Sequence, residues 1–147
     1  MASDLGQEIR LGGLAIRFLV DKETSGGSAA IFEFDVAAGA RVPVAHSHDG
    51  YEETIYGLAG VLTFTVDGKK TEVRPGNALC IPRGAIHRFD NFHPDEARAL
   101  AIVTPGLLGP DFFREVAQVI HAAAGKPPDA AAIGSVMRRH GLTPHPD

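Results

Sequence analysis

The chain has 147 residues, 14 of them Lys or Arg against 18 Asp or Glu, for a formal charge of −4. That suits one domain and, with no basic stripe, argues against nucleic acid and anionic membranes as partners. Cys80 is the sole cysteine, which excludes an intrachain disulfide. A free thiol, no basic leader and no run of 18 apolar residues lead us to expect a cytoplasmic protein.

Taken in order, residues 9–23 (IRLGGLAIRFLVDKE) alternate around Leu14, Ile16 and Phe18 and predict one or two strands broken at Gly12 and Gly13. SGGS at 25–28 is a turn. In AAIFEFDV, Ala30, Phe32, Phe34 and Val36 fall on one face, so a half-buried strand is expected with its aromatic side inward. In GVLTFTV, residues 60–66, Leu62, Phe64 and Val66 share a face; Asp67-Gly68 then reads as a two-residue hairpin loop with KKTEV returning. Pro75-Gly76 turns the chain into ALCIP, where Cys80 is read as a buried small hydrophobe. Residues 97–106 are expected to form the last strand.

Short strands at regular spacing predict a sandwich or barrel. The period then changes. Gly109-Pro110 starts a helix whose stripe runs through Phe112, Phe113, Val116, Val119, Ile120 and Ala123. Asp129 caps a second helix through Ile133, Val136 and Met137, stopped by Gly141. Their apolar faces must be buried on the outside of the barrel, on a partner subunit, or as a lid over the barrel mouth.

The chemistry concentrates in two stretches. His46 and His48 stand two apart, so on a strand both imidazoles leave the same face. Glu52 and Glu53 offer a carboxylate, and His87 a third imidazole. Three imidazoles and a carboxylate on short strands predict a site for one divalent transition metal ion per chain, Fe, Mn, Ni, Cu or Zn. His93, His121, His140 and His145 have no partner at ligand spacing and are expected in solvent.

Gly76, Pro82, Gly84, His87 and Asn91 reproduce at full spacing the second motif of the cupin superfamily, which the chain resembles over residues 28–104. His46, His48, Glu53 and Gly60 fit the first motif, with one residue more than usual between Gly39 and His46. The resemblance is greatest to small single-domain cupins likened to quercetin dioxygenases. It implies an all-β fold, a double-stranded β-helix (jelly roll) over residues 1–106 closing around the metal, followed by a short α-helical C-terminal extension over 107–147. It implies the metal ligands His46, His48, Glu53 and His87. Glu53 is chosen over Glu52 because six residues separate it from Gly60 and it shares a face with Ile55 and Gly57.

Such a metal leaves positions open to water, dioxygen or a bidentate substrate. The leading expectation is a metal-dependent dioxygenase acting on a small oxygenated organic molecule. The alternatives are a redox-neutral lyase or isomerase, or a non-catalytic small-molecule binding cupin. Glu53 could also serve as a catalytic base. Tyr51, inside the ligand loop, is the candidate hydrogen-bond donor to an oxygen at the site, with packing as its competing role. Arg41 and Arg83 could anchor a substrate carboxylate at the rim. Asn91 is read as structural. Edge strands left uncovered by a barrel favour a homodimer.

Overall fold

Alternation of apolar and polar residues builds two facing sheets. A computed structural model of the chain describes residues 7–40 and 44–146. The first sheet holds β1 (Glu8–Leu11), β2 (Leu14–Val20), β3 (Ala30–Val36), β5 (Glu52–Ala59), β8 (Ala78–Ile81) and β10 (Ala97–Thr104), in the order β1-β2-β3-β10-β5-β8. The second holds β4 (His46–His48), β6 (Leu62–Val66), β7 (Lys69–Val73), β9 (His87–Asp90) and β11 (Leu142–Pro144), in the order β11-β4-β9-β6-β7. All pairings are antiparallel. Sequence-distant strands lie side by side in both sheets, as in the jelly roll expected.

β3 shows how sequence becomes face. Ala30, Phe32, Phe34 and Val36 are buried between the sheets, while Ile31, Glu33 and Asp35 stay half-buried on the other side. On that outer face Arg17 donates to Asp35 at 2.8 Å and pairs with Glu8 at 3.1 Å and Glu33 at 3.4 Å; Arg98 donates to Asp35 at 2.7 Å. Burial alone would raise the Asp35 carboxyl, but hydrogen bonds from Arg17 and Arg98 outweigh it and hold the group at about 2. The charges therefore satisfy one another outside the sandwich.

The tight DG hairpin forms, with Asp67 and Gly68 both at positive φ. Two further glycines matter to the site. Gly57 is on the inward face of β5, where a Cβ would stand 2.2 Å from the Arg74 carbonyl oxygen, so only glycine lets that turn approach. Gly84 has φ +83°, and its N–H donates to the His48 carbonyl at 2.9 Å, tying the turn before β9 to β4. Asn91 is buried and donates to the Val36 and Asp95 carbonyls, and Gly39 donates to the Asn91 carbonyl.

Two sequence expectations are corrected here. Cys80 is exposed: Ile81 faces inward opposite Glu53, so its neighbour Cys80, opposite Thr54, must face out. β10 is not the last strand either, because β11 follows the helices and pairs with β4, Leu142 opposite His48 and Pro144 opposite His46.

The helices α1 (Pro110–Ala122) and α2 (Ala130–Arg139) form as the stripes predict. Asp129 caps α2 by accepting from the Ala132 N–H at 3.1 Å. Phe112, Phe113 and Val116 of α1 and Ile133 and Met137 of α2 turn toward the sandwich and help wall a cavity between the sheets. Glu115 of α1 clasps α2, accepting from Arg139 at 2.7 Å and pairing with His140, whose ring also meets Phe112 edge-on at 5.6 Å. His140 is thus half-buried and engaged, contrary to the solvated role expected of it. His145 is engaged too, its Nε2 3.0 Å from Ser47 Oγ, and His93 pairs with Glu72 at 3.3 Å. Among the described residues, no helix is long and apolar enough to cross a membrane.

Candidate metal centre

β4 is three residues long, and its pleat sends His46 and His48 into the cavity and Ser47 away from it. β9 lies alongside, with His87 directly opposite His46. The three rings converge, with centroids 5.1 Å apart for His46 and His48, 4.6 Å for His46 and His87, and 4.5 Å for His48 and His87. One ring nitrogen from each lies within 4.8 Å of the others. These three residues form the one such cluster of His, Cys, Asp or Glu among the described residues.

The hydrogen bonds fix the state of two rings. His46 Nδ1 is 3.1 Å from the Val44 carbonyl and His87 Nδ1 is 2.9 Å from the Ala85 carbonyl. A carbonyl only accepts, so Nδ1 carries the proton in each, leaving Nε2 with its lone pair. His87 Nε2 is buried with no hydrogen-bond partner, as is His48 Nδ1. Burial, then the neighbouring His87, pulls His46 down to about 3. Burial, then His87 and His46, brings His48 to about 2, and burial lowers His87. All three are neutral near pH 7, the form that ligates.

Glu53 enters from the opposite sheet. It lines the cavity, and its Oε1 is 4.0 Å from His87 Nε2. Burial pushes its carboxyl up to about 7. Glu52 points out and is held by Arg83, so alternation separates the two carboxylates. A buried carboxyl facing an unpartnered imidazole nitrogen is costly unless a proton or a metal ion lies between them. The donor set therefore fits a divalent transition metal, which His46, His48 and His87 could hold.

The secondary candidates fall elsewhere. Tyr51 is buried and stacks on the His48 ring at 4.5 Å, and it is not among the residues lining the cavity. Its hydroxyl has no hydrogen-bond partner, and burial, then Glu53 and Asp49, pushes the phenol above its ordinary value. Arg83 is exposed and committed to Glu52. Arg41 lies outside the described residues.

Sequence reasoning missed β11 and the supports it brings. The His145 N–H donates to the Ala45 carbonyl at 2.8 Å, and Thr143 Oγ1 donates to Asp49 at 2.7 Å. The Asp49 N–H donates to the Gly141 carbonyl at 2.9 Å. The β-branched Thr143 behind a helix-stopping glycine was the available signal.

Comparison with known proteins places this chain among relatives. The chain is 28% identical over 116 residues to quercetin 2,3-dioxygenase of Bacillus subtilis, 78% of this chain, but it spans only 33% of that protein's length. It is 30% identical over 108 residues to protein SchB of Streptomyces halstedii, covering 74% of this chain and 78% of SchB. The crystal structure of a "predicted oxalate decarboxylase" from Thermotoga maritima has a TM-score of 0.62 at 22% identity, over 71% of this chain and 96% of that one, a likeness of fold alone. The family model for the cupin domain matches residues 32–103. With both motifs delivering their side chains to one cavity in a jelly roll, the chain belongs to the cupin superfamily.

Proposed function

We propose that this protein is a metal-dependent enzyme that cleaves a small oxygenated organic molecule with dioxygen. The observation that carries the reading is the three-histidine cluster, with His48 and His87 buried and His46 half-buried, lining one apolar cavity together with Glu53. The likeness to a quercetin 2,3-dioxygenase supports the choice of chemistry. His46, His48 and His87 would hold the metal, with Glu53 as the fourth ligand. When bound, the metal supplies Lewis acidity and, if redox-active, a meeting point for substrate and dioxygen.

The chain's own residues do the rest. Nδ1–H bonds to Val44 and Ala85 fix the rings of His46 and His87. Tyr51 backs the His48 ring and limits its rotation. Glu53, with no Lys or Arg beside it in the cavity lining, can take a proton from an enolic or phenolic hydroxyl of the substrate. That position also supports a second reading, a redox-neutral lyase or isomerase, since proton transfer by Glu53 needs no oxidant.

The test is oxygen uptake by protein reconstituted anaerobically with Fe, Mn, Ni, Cu or Co and offered phenols, enols and diketones. Substrate loss matched by dioxygen consumption is expected. Turnover with no dioxygen consumed would transfer the assignment to a lyase or isomerase. Metal and ligand binding without turnover would leave a binding protein.

A further inference from the structure

We infer that the cavity selects a small uncharged molecule with an apolar body, whose oxygen atoms meet only the end formed by His46, His48, His87 and Glu53. The destination of those oxygens rests on the metal-site reading above; the exclusion of charge rests on the walls. Apart from those four residues the lining is hydrocarbon or thioether, with Phe32 and Phe34 from one sheet, Phe64 and Phe89 from the other, and Phe113 and Met137 from the helices among it. No Lys, Arg, Ser, Thr, Asn or Gln of the described residues lines it. Arg17 and Arg98 are held on the outer face by Asp35, and Arg83 by Glu52.

A carboxylate or phosphate on the ligand's body would therefore lose its water and find no side-chain donor on the walls among the described residues. A sugar's hydroxyls would fare no better, since the described residues of the walls offer no hydrogen-bonding side chain. A flat apolar ring suits the aromatic groups, which meet at centroid distances of 5.2 Å for Phe32 and Phe113, 5.3 Å for Phe34 and Phe89, and 5.4 Å for Phe64 and Phe89. The cavity, about 80 Å³, keeps that body small. Because Phe112, Phe113, Val116, Ile133 and Met137 all come from the two helices, the C-terminal segment sets much of this selectivity.

The experiment compares 4-methylcatechol with 3,4-dihydroxybenzoate, which present the same two oxygens on the same ring and differ by methyl against carboxylate. The full chain is loaded with zinc, which is redox-inert, and binding is measured by calorimetry. The methyl compound is expected to bind at least about thirtyfold more tightly, because only the carboxylate must be buried unpaired. Equal or tighter binding of the carboxylate, or no binding of either by zinc-loaded protein, would overturn the inference. Elemental analysis of the same sample separates the two readings, since failure to hold zinc counts against the metal site alone. The same preference in metal-free protein is expected if the walls discriminate; a reversed order there would overturn the inference too.

Discussion

A chain ended after His140 is expected to lose measurable zinc binding and at least about 3 kcal/mol of folding stability. The reason lies in how little else holds β4. On the β9 side the register pairs only His46 with His87, whereas on the other side all three residues of β4 are paired by β11. Removing β11 strips that edge and the Thr143 and His145 bonds to Asp49, Ala45 and Ser47. It also deletes Leu142, 1% exposed and part of the cavity wall. Two imidazoles on an unsupported three-residue strand cannot be kept in place for a metal. Urea unfolding followed by circular dichroism and zinc competition against a chromogenic chelator check both parts. A folded truncated chain with zinc affinity within about threefold of the full chain would show that β11 is dispensable to the centre.

Glu53→Gln is expected to lower turnover at least about 100-fold and metal affinity by about 10–100-fold, with the fold kept. Glutamine has the same shape, so the packing of Ile55 and the β5 pairings with β8 and β10 stay. What goes is the one carboxyl among the described residues that line the cavity, and with it the negative charge and the proton acceptor proposed for Glu53. The check is zinc affinity together with steady-state kinetics on whichever substrate the oxygen-uptake screen returns. A variant with full metal content and full activity would remove Glu53 from both roles.

Much of this site was legible in the sequence because strand geometry is so restrictive. A period of two sends His46 and His48 to one face and separates Glu53 from Glu52 without any tertiary information. The same rule, counted from Ile81, places Cys80 outside, because neighbours in a strand face opposite ways however apolar the run. The helical stripes told that Phe113 and Met137 would be buried, but amphipathicity does not name what buries them, so a lid, the barrel exterior and a partner were equal in that respect. β11 was hidden for a different reason. Three residues ending in proline carry no periodicity, and their pairing with β4 joins positions 94 to 98 apart, from Leu142 with His48 to Pro144 with His46. The engagement of His140 and His145 is hidden with it, because their partners Glu115 and Ser47 are distant in sequence.

The metal centre is tested most directly by elemental analysis and zinc titration of the untagged chain beside His87→Ala. His87 contributes a buried Nε2 with no other hydrogen-bond partner and meets both other rings. Close to one metal ion per chain is expected for the natural sequence, with affinity reduced at least about 100-fold in the variant. Absence of bound metal after anaerobic reconstitution with Fe, Mn, Ni, Cu and Zn, or equal binding by the variant, would contradict the assignment of a metal to these three histidines.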